Sequence, residues 1–308
     1  MKMFQLDQLK TFAAVLDEGT LEAAARTLHV TPSAVSQRLK AMEDAAGQIL
    51  LQRTNPARPT TAGEAVLRYA RQLRQLEGDA QRELGGAAGS PSTPIPLVVN
   101  ADSLATWFMA ALASLPPEPG VTFELRREDE QHSTQFLRTG AVIAAVTANP
   151  EPVQGCSVEP LGALRYRAVA SPGYVRHWLP GGPELVAGST APVVDFDRKD
   201  DLQGGFFRRM TGTALGAPRH YVPSSAEFAQ AIRLGMGWGL LPEAECLPLL
   251  GSGELVELAP GHPVDVALYW QRWKIDSPAL NQLTAAVRAT AAHELRQPAP
   301  GPGSVRSA

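Results

Sequence analysis

At 308 residues the chain exceeds what one hydrophobic core usually holds and implies roughly two or three domains. With 44% hydrophobic and 19% charged residues it reads as a soluble globular protein, and no run of about 18 apolar residues is present to span a membrane. Net charge is −3, and it divides unevenly: residues 1–90 hold eleven Lys/Arg against ten Asp/Glu, the rest seventeen against twenty-one. Bulk electrostatics therefore gives a nucleic-acid reader little help, and any such function must rest on placed side chains. The amino terminus, Met1 to Asp7, lacks an apolar leader, so a cytoplasmic location is expected. Cys156 and Cys246 stand far apart with no partner at metal-ligand spacing, which fits two idle thiols and no metal or cofactor.

In chain order, Leu6, Leu9, Phe12, Ala13 and Leu16 recur at helical spacing and Gly19 supplies a stop. Thr20 can cap a second helix whose inner face is Leu21, Ala24, Ala25 and Leu28. Thr31 followed by Pro32 opens a third helix, with Val35, Leu39 and Met42 on its buried stripe. Its opposite face carries Ser33, Ser36, Gln37 and Lys40. Small hydroxyls, an amide and a cation can enter a major groove about 12 Å wide; Gln37 suits adenine, and Lys40 suits phosphate or guanine. A solvated helix face would look the same, but two short helices, a tight turn and a capped third helix make a helix-turn-helix. The segment Leu50–Pro59 then reads as a two-stranded wing presenting Arg53 and Arg58 to phosphates or the minor groove.

Thr61-Ala62-Gly63-Glu64 reads as a capping box opening a long helix over 61–84. Ala62, Val66, Tyr69, Leu73, Leu76 and Ala80 step along it by alternating fours and threes, the pattern of a coiled-coil seam or of a helix packed on its own domain. A dimer is favoured, because helix-turn-helix readers gain specificity from two half-sites roughly 34 Å apart. A Gly/Pro/Ser linker follows over 85–96. Beyond it, short β-rich runs near Leu97–Asn100, Thr122–Arg126, Val142–Thr147, Arg167–Ala170, Val193–Phe196 and Ala267–Trp270 alternate with helical stretches. This α/β texture over 97–296 implies two subdomains: lobe I at about 97–163 and 268–296, lobe II at about 164–267. The Pro/Gly-rich tail 297–308 reads as disordered. Neither a Gly-x-Ser-x-Gly nor a Walker loop occurs and the six histidines are scattered, so an enzyme is disfavoured. A binding cleft fits better. Asn100 to Trp107 spans a strand end and a helix start, where backbone amides could hold a carboxylate. Glu128-Asp129-Glu130 and Asp195, Asp197, Asp200 and Asp201 could meet an ammonium or guanidinium group.

Leu21–Leu28 (LEAAARTL), Thr31–Glu43 (TPSAVSQRLKAME) and the stretch from Arg53 to Pro59-Thr60-Thr61-Ala62-Gly63 resemble the LysR-type transcriptional regulators. Val99–Trp107 (VNADSLATW), Val193–Asp201 (VVDFDRKDD), Ser224-Ser225-Ala226-Glu227, Gly253-Glu254-Leu255 and Leu268-Tyr269-Trp270 are similar to its LysG/ArgP subgroup, which controls export of basic amino acids. The resemblance implies a winged helix-turn-helix over 1–60, a dimerising linker helix, and a two-lobed, periplasmic-binding-protein-like effector domain. It further implies homodimers or homotetramers, an inverted-repeat operator, contact with RNA polymerase, and lysine or arginine as effector. Carried onto this sequence, groove-facing positions fall on Pro32, Ser33, Ser36 and Gln37 with Arg53 in the wing, and the effector cleft near Asn100, Asp102, Ser103, Trp107, Asp129, Phe196, Asp197 and Ser224. Two rivals stay open: an architectural DNA binder without an effector, and a regulator answering a different metabolite. Gln37, where many relatives carry Arg, leaves the half-site sequence open.

Overall fold

A computed structural model describes residues 4–84, 94–117, 121–127, 130–182 and 190–298. The first module holds helices α1 (Leu6–Glu18), α2 (Leu21–Thr27) and α3 (Pro32–Ala46), the strands β1 (Leu51–Gln52) and β2 (Arg58–Pro59), and the long helix α4 (Thr61–Glu83). Local chemistry sets its boundaries. Gly19 and Gly47 end α1 and α3 in the left-handed region, which a side chain would disfavour. Thr20 Oγ1 accepts from Ala23 N, and Thr31 Oγ1 from Ala34 N at 3.2 Å, with Pro32 at the first helical position. Phe12, Val15, Ala24, Val35, Met42 and Leu50 close a core of their own, to which α4 adds Leu67 and Ala70.

The capping box expected from Thr61 is displaced by one residue. Thr60 caps α4, its Oγ1 accepting from Gly63 N at 3.0 Å, and Glu64 turns away to accept from Gln135 Nε2 at 2.8 Å. Gly63 is required here by close approach: a Cβ would lie 2.0 Å from the Leu50 carbonyl oxygen. Residues of the expected seam lie on two faces. Val66 and Leu73 pack partly on the head's own core, whereas Tyr69 and Leu76 are exposed.

The second module contains β3 (Ile95–Val99), α5 (Ala101–Ser103) running through a π-helical turn (Leu104–Phe108) into α6 (Met109–Ala113), β4 (Phe123–Arg127), α7 (Glu130–Thr139) and β5 (Ala144–Thr147). There follow β6 (Cys156–Ala170), α8 (Pro172–Trp178), β7 (Val193–Asp195), α9 (Leu202–Thr211), β8 (Arg219–Tyr221) and α10 (Ser225–Arg233). The chain closes with β9 (Gly239–Pro242), α11 (Glu243–Gly251), β10 (Val256–Glu257), β11 (Val264–Trp273) and α12 (Pro278–Glu294). Because β3 begins at Ile95, the linker expected over 85–96 is shorter at its far end; its first nine residues, 85–93, lie outside the described residues.

One mixed sheet, ordered β10-β6-β11-β5-β3-β4 with β9 also on β6, carries most of the module, and β7 and β8 form a separate parallel pair. The short run read at Arg167–Ala170 is the end of a 15-residue strand. β11 pairs antiparallel along its whole length with β6 from Cys156 to Tyr166, with one irregularity between Leu268 and Tyr269, opposite Gly162 at φ 128°. The two long strands run through the centre of this sheet and join the two lobes of the α/β module. Trp107, Phe108, Trp238, Trp270 and Trp273 fill one core. The tail is anchored at its start: Arg296 pairs with Ala163, and Gln297 Nε2 donates to the Leu161 carbonyl at 3.0 Å. Residues 299–308 lie outside the described residues. The head docks on lobe I through α4, where Arg71 donates to the Thr139 carbonyl at 3.1 Å and also pairs with Asp17.

Candidate functional site

Two polar surfaces stand out, and they differ in construction. On the head, Pro32, Ser33, Gln37 and Lys40 are exposed and Ser36 half-buried along the outer side of α3, while Val35 and Leu39 hold the inner side. Arg38, on the same helix, is tied inward to Thr11 Oγ1 at 3.1 Å and takes no part in that face. Thr31 serves as cap, yet its hydroxyl hydrogen is still free to donate. Arg53 and Arg58 are exposed on the wing, and neither they nor Lys40 form an ion pair among the described residues. A rigid helix with uncommitted polar groups and a flanking pair of guanidinium groups has the chemistry of major-groove reading with phosphate anchoring.

The second surface is a cleft of about 510 Å³ between the lobes. It gathers Asn100, Ala101 and Asp102 from the β3–α5 junction, Arg127 from the end of β4, and Phe196, Asp197, Lys199 and Asp200 from the loop after β7. Leu202 and Gln203 come from α9, Pro223, Ser225 and Phe228 from around α10, and Leu240, Leu241, Pro242 and Glu245 from β9 and α11. Strand ends and helix starts meet here because parallel β3, β4 and β5 all deliver their carboxyl ends to one side.

Asp102 is the hub. Its Oδ2 accepts from Tyr166 Oη at 2.7 Å and its Oδ1 from Ser225 Oγ at 3.2 Å, so a lobe I carboxyl reaches a lobe II hydroxyl. Burial pushes this carboxyl above the usual range, Tyr166 and Ser225 pull it back, and the nearby Asp200 charge adds to the rise. The amides expected to hold a ligand carboxylate are partly occupied, since Ser103 N donates to Asn100 Oδ1 at 3.2 Å. The two aspartates after β7 are occupied as well. Asp197 Oδ1 accepts from the amides of Lys199 and Asp200, while Asp200 caps Phe196 and Leu202. Arg127 lies over the Phe196 ring, 5.8 Å from its centroid. Gln203 is buried; its Nε2 donates to the Val194 carbonyl at 3.0 Å, while its Oε1 has no partner.

Of the expected effector residues, Asn100, Asp102, Phe196 and Asp197 line this cleft. Three do not. Ser103 and Trp107 are buried in the core, because the helix that starts at the cleft turns them inward, and Ser224 bonds Glu227 while its neighbour Ser225 faces Asp102. Asp129 lies outside the described residues. Arg127, Tyr166, Gln203, Ser225 and Glu245 were not foreseen. Arg127 ends a strand read one residue short, and Gln203 and Glu245 sit on helices α9 and α11, whose apolar spacing is too irregular to announce them.

Residues 6–64 match the family model described as the bacterial regulatory helix-turn-helix protein of the lysR family, and residues 88–292 match that of the LysR substrate binding domain. The chain is 45% identical to the HTH-type transcriptional regulator LysG of Mycobacterium tuberculosis over 93% of its length and 94% of the relative's. It is 40% identical to the lysine export transcriptional regulatory protein LysG of Corynebacterium glutamicum over 94% and 98%. In three dimensions it resembles the crystal structure of ArgP from M. tuberculosis, with a TM-score of 0.88 at 41% identity, covering 96% of this chain and 100% of that one. Full-length LysG of C. glutamicum with bound effector Arg aligns with a TM-score of 0.78 at 40% identity, covering 95% and 99%.

Proposed function

Because the chain belongs to the LysR family of bacterial transcriptional regulators, we propose that it reads an inverted-repeat operator as a dimer and closes its two lobes on a basic amino acid, lysine or arginine. One observation carries the effector assignment. The cleft is lined by four carboxylates, Asp102, Asp197, Asp200 and Glu245, against two cations, Arg127 and Lys199. A ligand with one carboxylate and two cationic groups offsets half of that negative excess, its carboxylate toward Arg127 and its cations toward Asp102 and Glu245. Arginine bound to a relative at 40% identity supports the same reading. Glu245 and Ser225 replace Asp129 and Ser224 as the contacts we favour.

In the head, Ser33, Ser36, Gln37 and Lys40 face the groove, with Arg53 and Arg58 on the backbone. Exposed Tyr69 and Leu76, with Val66 and Leu73 at their flank, form the dimer seam of α4. Ligand closure changes the relation of lobe I to the α4 helix docked on it, and so the spacing of paired heads, through differential affinity for two states. Pairs of dimers then form the tetramer that addresses RNA polymerase at an amino-acid exporter promoter. Calorimetry on the full chain with lysine, arginine and histidine tests the effector. Saturable heat and a raised Tm are expected from at least one; silence from all three would leave an architectural DNA binder or a regulator of another metabolite.

A further inference from the structure

The cleft's carboxylates are not equivalent. Asp197 and Asp200 accept from backbone amides, and Asp102 is held by Tyr166 and Ser225. Glu245, in the first turn of α11, lines the same cavity with no hydrogen bond or ion pair among the described residues. Gln203 of α9 lines the same cavity; it is only 1% exposed, and its Oε1 is buried without a donor. A bare carboxyl and an orphaned amide oxygen lining one cleft are two acceptors waiting for N–H donors.

The surroundings of Glu245 disfavour its charge. Burial pushes its carboxyl up to about 7, and the Asp102 charge from α5 adds to the rise. The other charged and titratable groups around the cleft are Tyr166 on β6, Asp197, Lys199 and Asp200 in the loop after β7, and Arg127 on β4, which is stacked on Phe196.

We propose that Glu245 is the residue that selects a cationic side chain in this cleft, and that the ligand enters in exchange for the proton on that carboxyl group. The inference rests on the basic-amino-acid reading above. The protonated carboxyl releases its proton to solvent, and the remaining carboxylate pairs with the ligand's guanidinium or ammonium, whose second N–H is accepted by Gln203 Oε1. Charge in the cleft is conserved, so the incoming cation meets no unpaired buried anion at any stage. A neutral isostere cannot drive the exchange.

The test is calorimetry of the full-length protein with arginine in buffers of differing ionisation heat, between about pH 6 and pH 8. Wild type should release about half a proton per bound arginine near pH 7 and bind about tenfold more tightly at the upper pH than at the lower. Glu245→Gln should release none, lose that slope, and bind arginine about tenfold or more weakly than wild type at pH 8. Glu245→Asp should restore proton release, and citrulline should bind wild type weakly with none. Arginine binding to wild type without proton release, or proton release surviving in Glu245→Gln, would overturn the proposal while leaving the effector reading intact. Failure of wild type to bind either arginine or lysine would overturn both.

Discussion

The outer face of α3 and the cleft between the lobes are both polar, but they are polar in opposite ways. On α3 the side chains stand in water, uncommitted, on one continuous helix whose caps and buried stripe lie within seventeen residues. In the cleft the polar groups come from several segments of the chain and most are already engaged with one another; of the two that are not, Glu245 is half-buried and the Gln203 Oε1 is hidden. Exposure keeps the first surface ready for a large, hydrated, charged partner. Enclosure makes the second selective, because each unpaired acceptor there imposes a penalty on any ligand that fails to satisfy it.

That contrast can be broken first at the head's own joint. Gly63→Val should clash with the Leu50 carbonyl and destabilise the head by about 3 kcal/mol or more, lowering its unfolding temperature while arginine binding to the effector domain survives. Loss of both together would mean that the two modules are one cooperative unit. Next, Asp102→Asn removes the charge that Tyr166 and Ser225 hold across the lobes. It should weaken arginine binding by about thirtyfold or more in calorimetry, with operator affinity in the ligand-free state unchanged. A smaller effect of opposite location is expected from Gln37→Ala, which should cost about 1–3 kcal/mol of discrimination between operator variants in a fluorescence binding series. Arg53→Ala should instead weaken all duplexes alike and reduce the salt slope by about 1.

The smallest effect sharpens the cleft's side of the comparison. The Glu245 carboxyl is raised in the folded chain, to about 7, above its unfolded value, so the folded state holds a proton that the unfolded chain has lost. Stability from this group is therefore greatest at low pH and falls as pH rises from the ordinary carboxylate range through about 7. The difference in Tm between Glu245→Gln and wild type should grow in the variant's favour over that window, and a constant difference would argue against a buried, strained carboxylate.

The head was legible because its instructions are local. Thr20, Thr31 with Pro32, Gly19 and Gly47 mark three helices within a few residues of where they act, and an apolar stripe on one side of α3 fixes which residues face out. Even there the cap of α4 moved by one position, from Thr61 to Thr60, because two adjacent threonines offer the same hydroxyl and only the turn after β2 chooses between them. Periodicity along α4 named a seam but could not divide it. Leu67 and Ala70 are the helix residues buried in the head's core, with Val66 and Leu73 beside them, and the exposed share of the seam fell to Tyr69, Leu76 and Ala80.

For the effector half, the sequence alone determined an α/β class and two lobes, since alternating β-rich and helical runs admit few other packings. It pointed to Asn100, Asp102 and Asp197 through their positions at strand ends, which in such sheets converge on one side, and to Phe196 through the family resemblance. The assignment of work among them was decided only by tertiary structure. Whether a carboxylate is free depends on which amides and hydroxyls reach it from elsewhere in the chain: Lys199 on the loop after β7, Leu202 at the start of α9, Ser225 on α10, Tyr166 on β6. Gln203 and Glu245 became candidates only when α9 and α11 brought them into a cavity with nothing left to pair with. Helix caps and stripes act over a few residues and can be read in order. Desolvation and hydrogen-bond satisfaction are properties of an enclosed space, and no window of sequence contains one.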